Sequence, residues 1–155
     1  MTKGRTGRRA NPIVELWSAG TVPACNGLYR ADGTAWAVET DGPQLSQLVF
    51  GPPLDLAALL ANDPEAVTVI DRFAEAELVD GSGYVCCGDG ALGSDGFFAR
   101  LDQGRSLVWV VSLTDSNPFG RIMVDGSAVR FVNNLGNCVV VDLMQQEYAL
   151  SAEGE

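Results

Sequence analysis

The sequence contains no histidine, and past residue 9 it has no lysine and only six arginines against 20 Asp and Glu, a net −14 for that portion and −10 for the whole chain. Without His, the Ser-His and Cys-His nucleophile arrangements and every His-containing metal site are excluded. A body this acidic repels phosphate backbones and anionic headgroups, so the folded part is not expected to bind nucleic acid or membrane. Long apolar runs are also missing. The runs there are, such as Leu107-Val108-Trp109-Val110-Val111, fall far short of the roughly 20 residues of a membrane span. The basic start, Met1 to Ala10, is not followed by an apolar core of signal-peptide type, and the expected location is therefore the cytoplasm. Cysteine is sparse: Cys25, Cys86, Cys87 and Cys138. Neighbours on a strand point to opposite faces, so Cys86-Cys87 fits neither a mutual bridge nor a thiolate metal site, and buried free thiols are expected.

What is present suits a single core. Of the 155 residues, 46% are hydrophobic and 19% charged, and a domain of about 150 residues buries roughly 70% of its unfolded surface. Residues 1–11 read as a flexible basic arm, with Lys3, Arg5, Arg8 and Arg9 among Gly and Thr, and residues 151–155 as an acidic tail. Between them, residues 12–150 form the expected domain. Ile13, Val14, Leu16 and Trp17 make a short apolar patch closed by Gly20 and Pro23. Asp32-Gly33 predicts a tight hairpin between Gly27–Arg30 and Thr34–Val38. Gln44–Phe50 reads as a strand broken at Gly51-Pro52-Pro53, and Leu54–Asn62 as a helix, with Leu56, Leu59 and Leu60 at helical spacing. Residues 65–76 stay open between helix and strand, because Pro64-Glu65 could start a helix while Val67, Thr68, Val69 and Ile70 are β-branched.

The second half is punctuated like a β protein. Tyr84–Cys87, Phe97–Leu101, Leu107–Leu113, Arg121–Val124, Ala128–Val132 and Cys138–Leu143 read as strands joined by short Gly-, Asp- and Asn-bearing turns. Such connections predict antiparallel neighbours in one meander. The expected class is α+β, predominantly antiparallel β, with one or two helices packed on the sheet. Leu107–Val111 is apolar on both faces, as a central covered strand would be.

No motif assembles catalytic chemistry. Gly88-Asp89-Gly90-Ala91-Leu92-Gly93 matches G-x-G-x-x-G, but the next strand begins at Phe97, leaving no helix N-terminus for a pyrophosphate, so no cofactor is expected. Asp80, Asp89 and Asp95 offer oxygen ligands without calcium-loop spacing, and no metal is expected. The acids are too scattered to single out a carboxylate pair. The arm could contact nucleic acid or an acidic surface, or mediate self-association, and it lacks interleaved aromatics for base stacking.

Leu107 to Thr114 with Asp115-Ser116-Asn117-Pro118-Phe119, then Phe131-Val132-Asn133-Asn134-Leu135-Gly136 and Val139–Leu143, resembles small bacterial proteins of the toxin-immunity kind. In those proteins a strand with a tryptophan, an S-N-P-F turn and an N-N-x-G hairpin occur in that order. The resemblance spans about 40 residues, and its motif residues read as structural. It implies a cytoplasmic, non-catalytic protein that binds and silences a toxin. Many antibacterial toxins are nucleases with basic clefts, to which an acidic inhibitor is steered. The expected contact residues are the loop acids Asp89, Asp95 and Asp115. The alternative expectation is a structural or assembly component, such as a virion or filament subunit, whose basic arm clasps its neighbours.

Overall fold

A computed structural model describes residues 11–143 and, as backbone, 150–153. The basic arm through Ala10 and the last two residues of the acidic tail lie outside the described residues.

The first apolar patch forms helix α1 (Pro12–Ser18). Asn11, read as part of the arm, is its N-cap and accepts a 3.3 Å hydrogen bond from the Val14 amide, while Pro12 occupies the first turn. Proline's missing N–H costs nothing there. Ile13 and Trp17, four apart, form the buried stripe. The second helix, α2 (Leu56–Asn62), starts two residues later than expected because Asp55 takes the cap, accepting from the Ala58 amide at 3.1 Å.

The chain otherwise forms strands. Strands β1 (Thr21–Pro23) and β5 (Val67–Val69) pair as a two-stranded ribbon. A seven-stranded antiparallel sheet contains β2 (Gly27–Arg30), β3 (Ala35–Thr40), β4 (Leu48–Pro53), β6 (Asp71–Glu77), β7 (Gly83–Asp89), β8 (Gly96–Asp102) and β9 (Leu107–Leu113). Their order is β4-β3-β2-β9-β8-β7-β6. A four-stranded antiparallel sheet, in chain order, contains β10 (Phe119–Asp125), β11 (Ala128–Asn133), β12 (Cys138–Asp142) and β13 (Leu150–Glu153).

The expected α+β class and antiparallel pairing are observed. The expected single meander is instead two: Asn117 adopts φ 63° and Pro118 cannot continue the ladder, so after β9 the chain leaves the large sheet and begins the small one. Residues 65–76, left open from sequence, contain β5 and β6. Gly51-Pro52-Pro53 does not break β4, because β4 is an edge strand and its prolines need offer no N–H on the outer side. Ser151–Glu153, read as acidic tail, belong to β13, opposite Val140 to Cys138.

Two cores result. On one face of the large sheet, Ile13, Trp17 and Leu56 from the helices cover Tyr29, Cys86, Phe97, Ala99 and Val110. On the other, the small sheet packs Phe119, Val129, Phe131, Val139 and Val141 over Leu28, Val85, Phe98, Trp109 and Val111. The order is thus helix layer, large sheet, small sheet, and β9 is apolar on both faces because it lies centrally between two coverings. Phe98 anchors the inter-sheet core, stacked on Phe131 at 4.6 Å and edge-on to Phe119 at 5.3 Å and Trp109 at 6.2 Å.

Candidate functional site

Strand direction gathers four loops at one end of the sandwich. β3 and β9 end there, β4, β8 and β10 begin there, and so do the ends of β7 and β11. The loops are residues 41–47, 90–95, 114–118 and 134–137.

Amide side chains fasten them together. Asn133, only 5% exposed, donates Nδ2–H bonds to the carbonyls of Pro43 at 2.8 Å and Ser116 at 2.9 Å. Its Oδ1 accepts from the amides of Leu135 at 3.0 Å and Asn137 at 2.9 Å. Asn137 Nδ2 also donates to the Pro43 carbonyl at 3.0 Å. The Asn117 amide donates to the Ser94 carbonyl at 2.8 Å, its Nδ2 donates to Asn134 Oδ1 at 3.1 Å, and the Asn134 amide donates to the Pro118 carbonyl at 3.0 Å. Asn26 Oδ1 holds the Thr114 amide at 2.7 Å. Every loop is therefore tied to another. The residues that carry the sequence resemblance all have structural jobs here: Trp109 fills core, Asn117 makes the left-handed turn, Phe119 plugs the sandwich and Asn133 is the hub.

The three predicted contact acids divide. Asp115 is exposed at the rim. Asp95, also expected at the surface, is 4% exposed and accepts from the Gly90 amide at 3.2 Å, so its carboxylate closes its own loop. A Cβ on residue 90 would lie 2.3 Å from Asp95 Oδ2, so the missing side chain of Gly90 lets the carboxylate fold in. Asp89, the last residue of β7, is half-buried and in register with Asp71 of β6. Its Oδ1 is shut from solvent without a hydrogen-bond partner. Burial first, then the charges of Asp71 and Asp95, push the Asp89 carboxyl above its ordinary value.

Two acids at this end escaped the sequence reading. Asp71 was hidden in the open 65–76 segment. Asp41 starts its loop and accepts from the amides of Ser46 at 3.0 Å and Gln47 at 3.3 Å and from the Ser46 hydroxyl. These bonds, the hydroxyl foremost, hold its carboxyl below the ordinary range and keep it ionised at neutral pH. The Asp-Gly-Pro run at 41–43 was the available signal, an aspartate turning its own chain.

None of the four loops contains a lysine or arginine. Their exposed surface carries Asp41 and Asp115 with two apolar tips, Leu92 at 72% and Leu135 at 58% exposure. Arg72, at the nearby start of β6, turns to the helix side, over the Trp17 ring at 4.9 Å and 3.8 Å from Glu75. Arg30, Arg100 and Arg105 lie toward the opposite end, and exposed Arg121 stands on β10 opposite Val132, just below the loops.

The Gly-rich loop joins β7 directly to β8, with Gly88 inside the strand. Cys86 and Cys87 point into the helix-side and inter-sheet cores respectively, and burial pushes their thiols up to about 11 and about 12. Among the described residues, no three His, Cys, Asp or Glu side chains are placed to hold a metal ion, and no helix is long and apolar enough to cross a membrane. In comparisons with known proteins, no family model, no curated protein and no solved structure matches the chain.

Proposed function

We propose that this chain is a non-catalytic protein-binding module, an inhibitor of the immunity kind that neutralises a basic, nuclease-like toxin in the cytoplasm through its acidic loop end. The observation that carries the reading is the cation-free cluster of four loops, fastened to one another and exposing Asp41, Asp115, Leu92 and Leu135. Exposed like charges steer a basic partner and accelerate its encounter. The apolar tips supply area that becomes dry on contact, and the tied loops lose little freedom on binding. Asp95 serves this surface only by shaping its loop, and Asp89 adds negative potential beneath it.

An inhibitor is commonly encoded beside its toxin, so the test is to purify the basic product of a neighbouring gene and titrate the full chain against it at several salt concentrations. A one-to-one complex that blocks the partner's activity and weakens as salt rises is expected. No complex at low salt with any basic neighbouring product, or a chain that only assembles with itself through the arm, would overturn the reading in favour of the assembly role.

A further inference from the structure

The end of the sandwich opposite the four loops contains a cleft of about 270 Å³ between the two sheets. Its apolar wall is Leu78, Val79 and Leu143: Leu78 is 4% exposed and part of the inter-sheet core, Leu143 packs against that core, and Val79 is 71% exposed at the mouth. The polar wall is Arg100 of β8, with Asp80 and Ser127 at the rim. Arg100 is half-buried in a strand whose flanking residues Ala99 and Leu101 enter the helix-side core, so its own side chain projects between the sheets.

The arginines of this protein are not equally occupied. Arg30 has Asp32 at 3.9 Å, Arg72 has Glu75 at 3.8 Å, and Arg105 is paired with the same Glu75 and lies over the Tyr84 ring at 4.1 Å. Among the described residues Arg100 has no carboxylate in ion-pair contact: Nη2 donates to Ser82 Oγ at 3.1 Å, and the nearby Asp80 carboxylate only feels its charge. Ser82 in turn is tied to Asp80, whose carboxylate accepts from the Ser82 amide at 3.0 Å. Asp80 is thereby folded into its own turn. A guanidinium has five N–H donors. Four of those on Arg100 have no protein acceptor among the described residues, and Nε is shut from solvent with none. In a chain with 20 acids, an arginine on the wall of an apolar-floored cleft that has no carboxylate in ion-pair contact among the described residues is set to receive one from outside.

We propose that this cleft binds a small aliphatic monocarboxylate, its carboxylate on the Arg100 guanidinium and its alkyl chain against Leu78, Val79 and Leu143. A volume of about 270 Å³ is enough for a ligand the size of hexanoate. A single cation beside Asp80 favours one negative charge over the two of a phosphate monoester, and the apolar wall favours a chain over a bare inorganic anion. The site lies away from the acidic loops and does not rest on the inhibitor reading.

The test is an NMR titration of the isotope-labelled full chain with hexanoate, hexanol and hexylamine at constant salt. Hexanoate is expected to give saturable shifts at Leu78–Ser82, Arg100, Ser127 and Leu143 with millimolar affinity, as for a fragment-sized ligand. Hexanol should bind at least about tenfold more weakly, since it cannot make the charge-assisted pair. Arg100→Gln should weaken hexanoate by about the same factor. Its fold is checked by thermal unfolding, and Val79→Asp, at an exposed position, should weaken binding without touching the core. A leucine-ending tripeptide compared with its carboxamide separates the two sources of this chemistry: tighter binding of the peptide acid than of hexanoate assigns the cleft to chain ends, the reverse to free acids. Equal binding of hexanol and hexanoate, an unchanged affinity in both variants, or shifts confined to other arginines would overturn the proposal.

Discussion

Replacing Asn133 by Ala removes the hub of the loop end, and the loss can be worked from its four hydrogen bonds. The Pro43 carbonyl keeps the bond from Asn137 Nδ2 at 3.0 Å, and the amides of Leu135 and Asn137 sit in a turn that water reaches. The loss therefore falls mainly on the buried contact with the Ser116 carbonyl and on the void left by the amide. An unmade buried hydrogen bond costs roughly 1–3 kcal/mol, and with smaller losses at the turn the total should be about 2–3 kcal/mol. For a domain of this size that lowers Tm by roughly 5–10 °C. Urea denaturation and thermal unfolding followed by circular dichroism measure it, and amide hydrogen exchange localises it. Exchange should accelerate at residues 42–45, 116 and 135–137 and remain unchanged at Phe98 and Val111. A loss below about 0.5 kcal/mol, within the scatter of surface substitutions, or a uniform acceleration across the sheet, would refute the hub assignment.

Because the Asp89 carboxyl is raised in the folded state, its contribution to stability is present below the unfolded value of about 3.9 and lost as pH rises through the folded one. Asp89→Asn should therefore be more stable than the parent at pH 7 and lose that advantage near pH 3, as measured by parallel urea titrations. Gly88→Ala places a Cβ 1.8 Å from the Asp71 carbonyl oxygen, a backbone clash that should cost more than about 3 kcal/mol and free β6; hydrogen exchange in β6 would show it. Phe98→Ala removes the ring between the sheets and should cost about 3–5 kcal/mol by denaturant unfolding. Cys86 and Cys87 should resist a thiol-modifying reagent at pH 8 until the chain is unfolded, because both thiols are raised and buried; modification of both in the native protein, located by mass mapping, would contradict the two-core packing.

Much of the fold is legible in the sequence because its signals are local. Asp32-Gly33 supplies the positive φ of a hairpin, Gly33 adopts φ 98°, and the two strands pair as expected. Leu56, Leu59 and Leu60 announce a helix. The assignment of strands to sheets is not local: an apolar alternation tells which residues face a core but not which of two cores, and the split at Pro118 appears only when Phe119 and Phe131 meet Phe98. β6 is obscured because it is an edge strand with exposed Arg72, Phe73, Glu75 and Glu77, leaving little inward pattern. Pro52 and Pro53 mislead for the same reason, since an edge tolerates what a central strand does not. At the loop end, Asp115 is exposed as its turn chemistry suggests, whereas Asp95 looks equally exposed in sequence. It is buried because Gly90, five residues away, leaves room for it. The convergence of Asp41 and Asp71 on the same end depends on strand direction, which spacing along the chain does not encode.

The acidic loop end is tested most directly by the association rate of the chain with the proposed basic partner as a function of salt, for the parent, Asp115→Lys and Asp125→Lys. Both aspartates are exposed, Asp115 on the loop end and Asp125 in the β10–β11 turn at the opposite end. The rate should fall steeply with ionic strength, with severalfold slower association for Asp115→Lys at low salt and no change for Asp125→Lys. A salt-independent rate, or equal slowing by the two substitutions, would contradict the inhibitor reading.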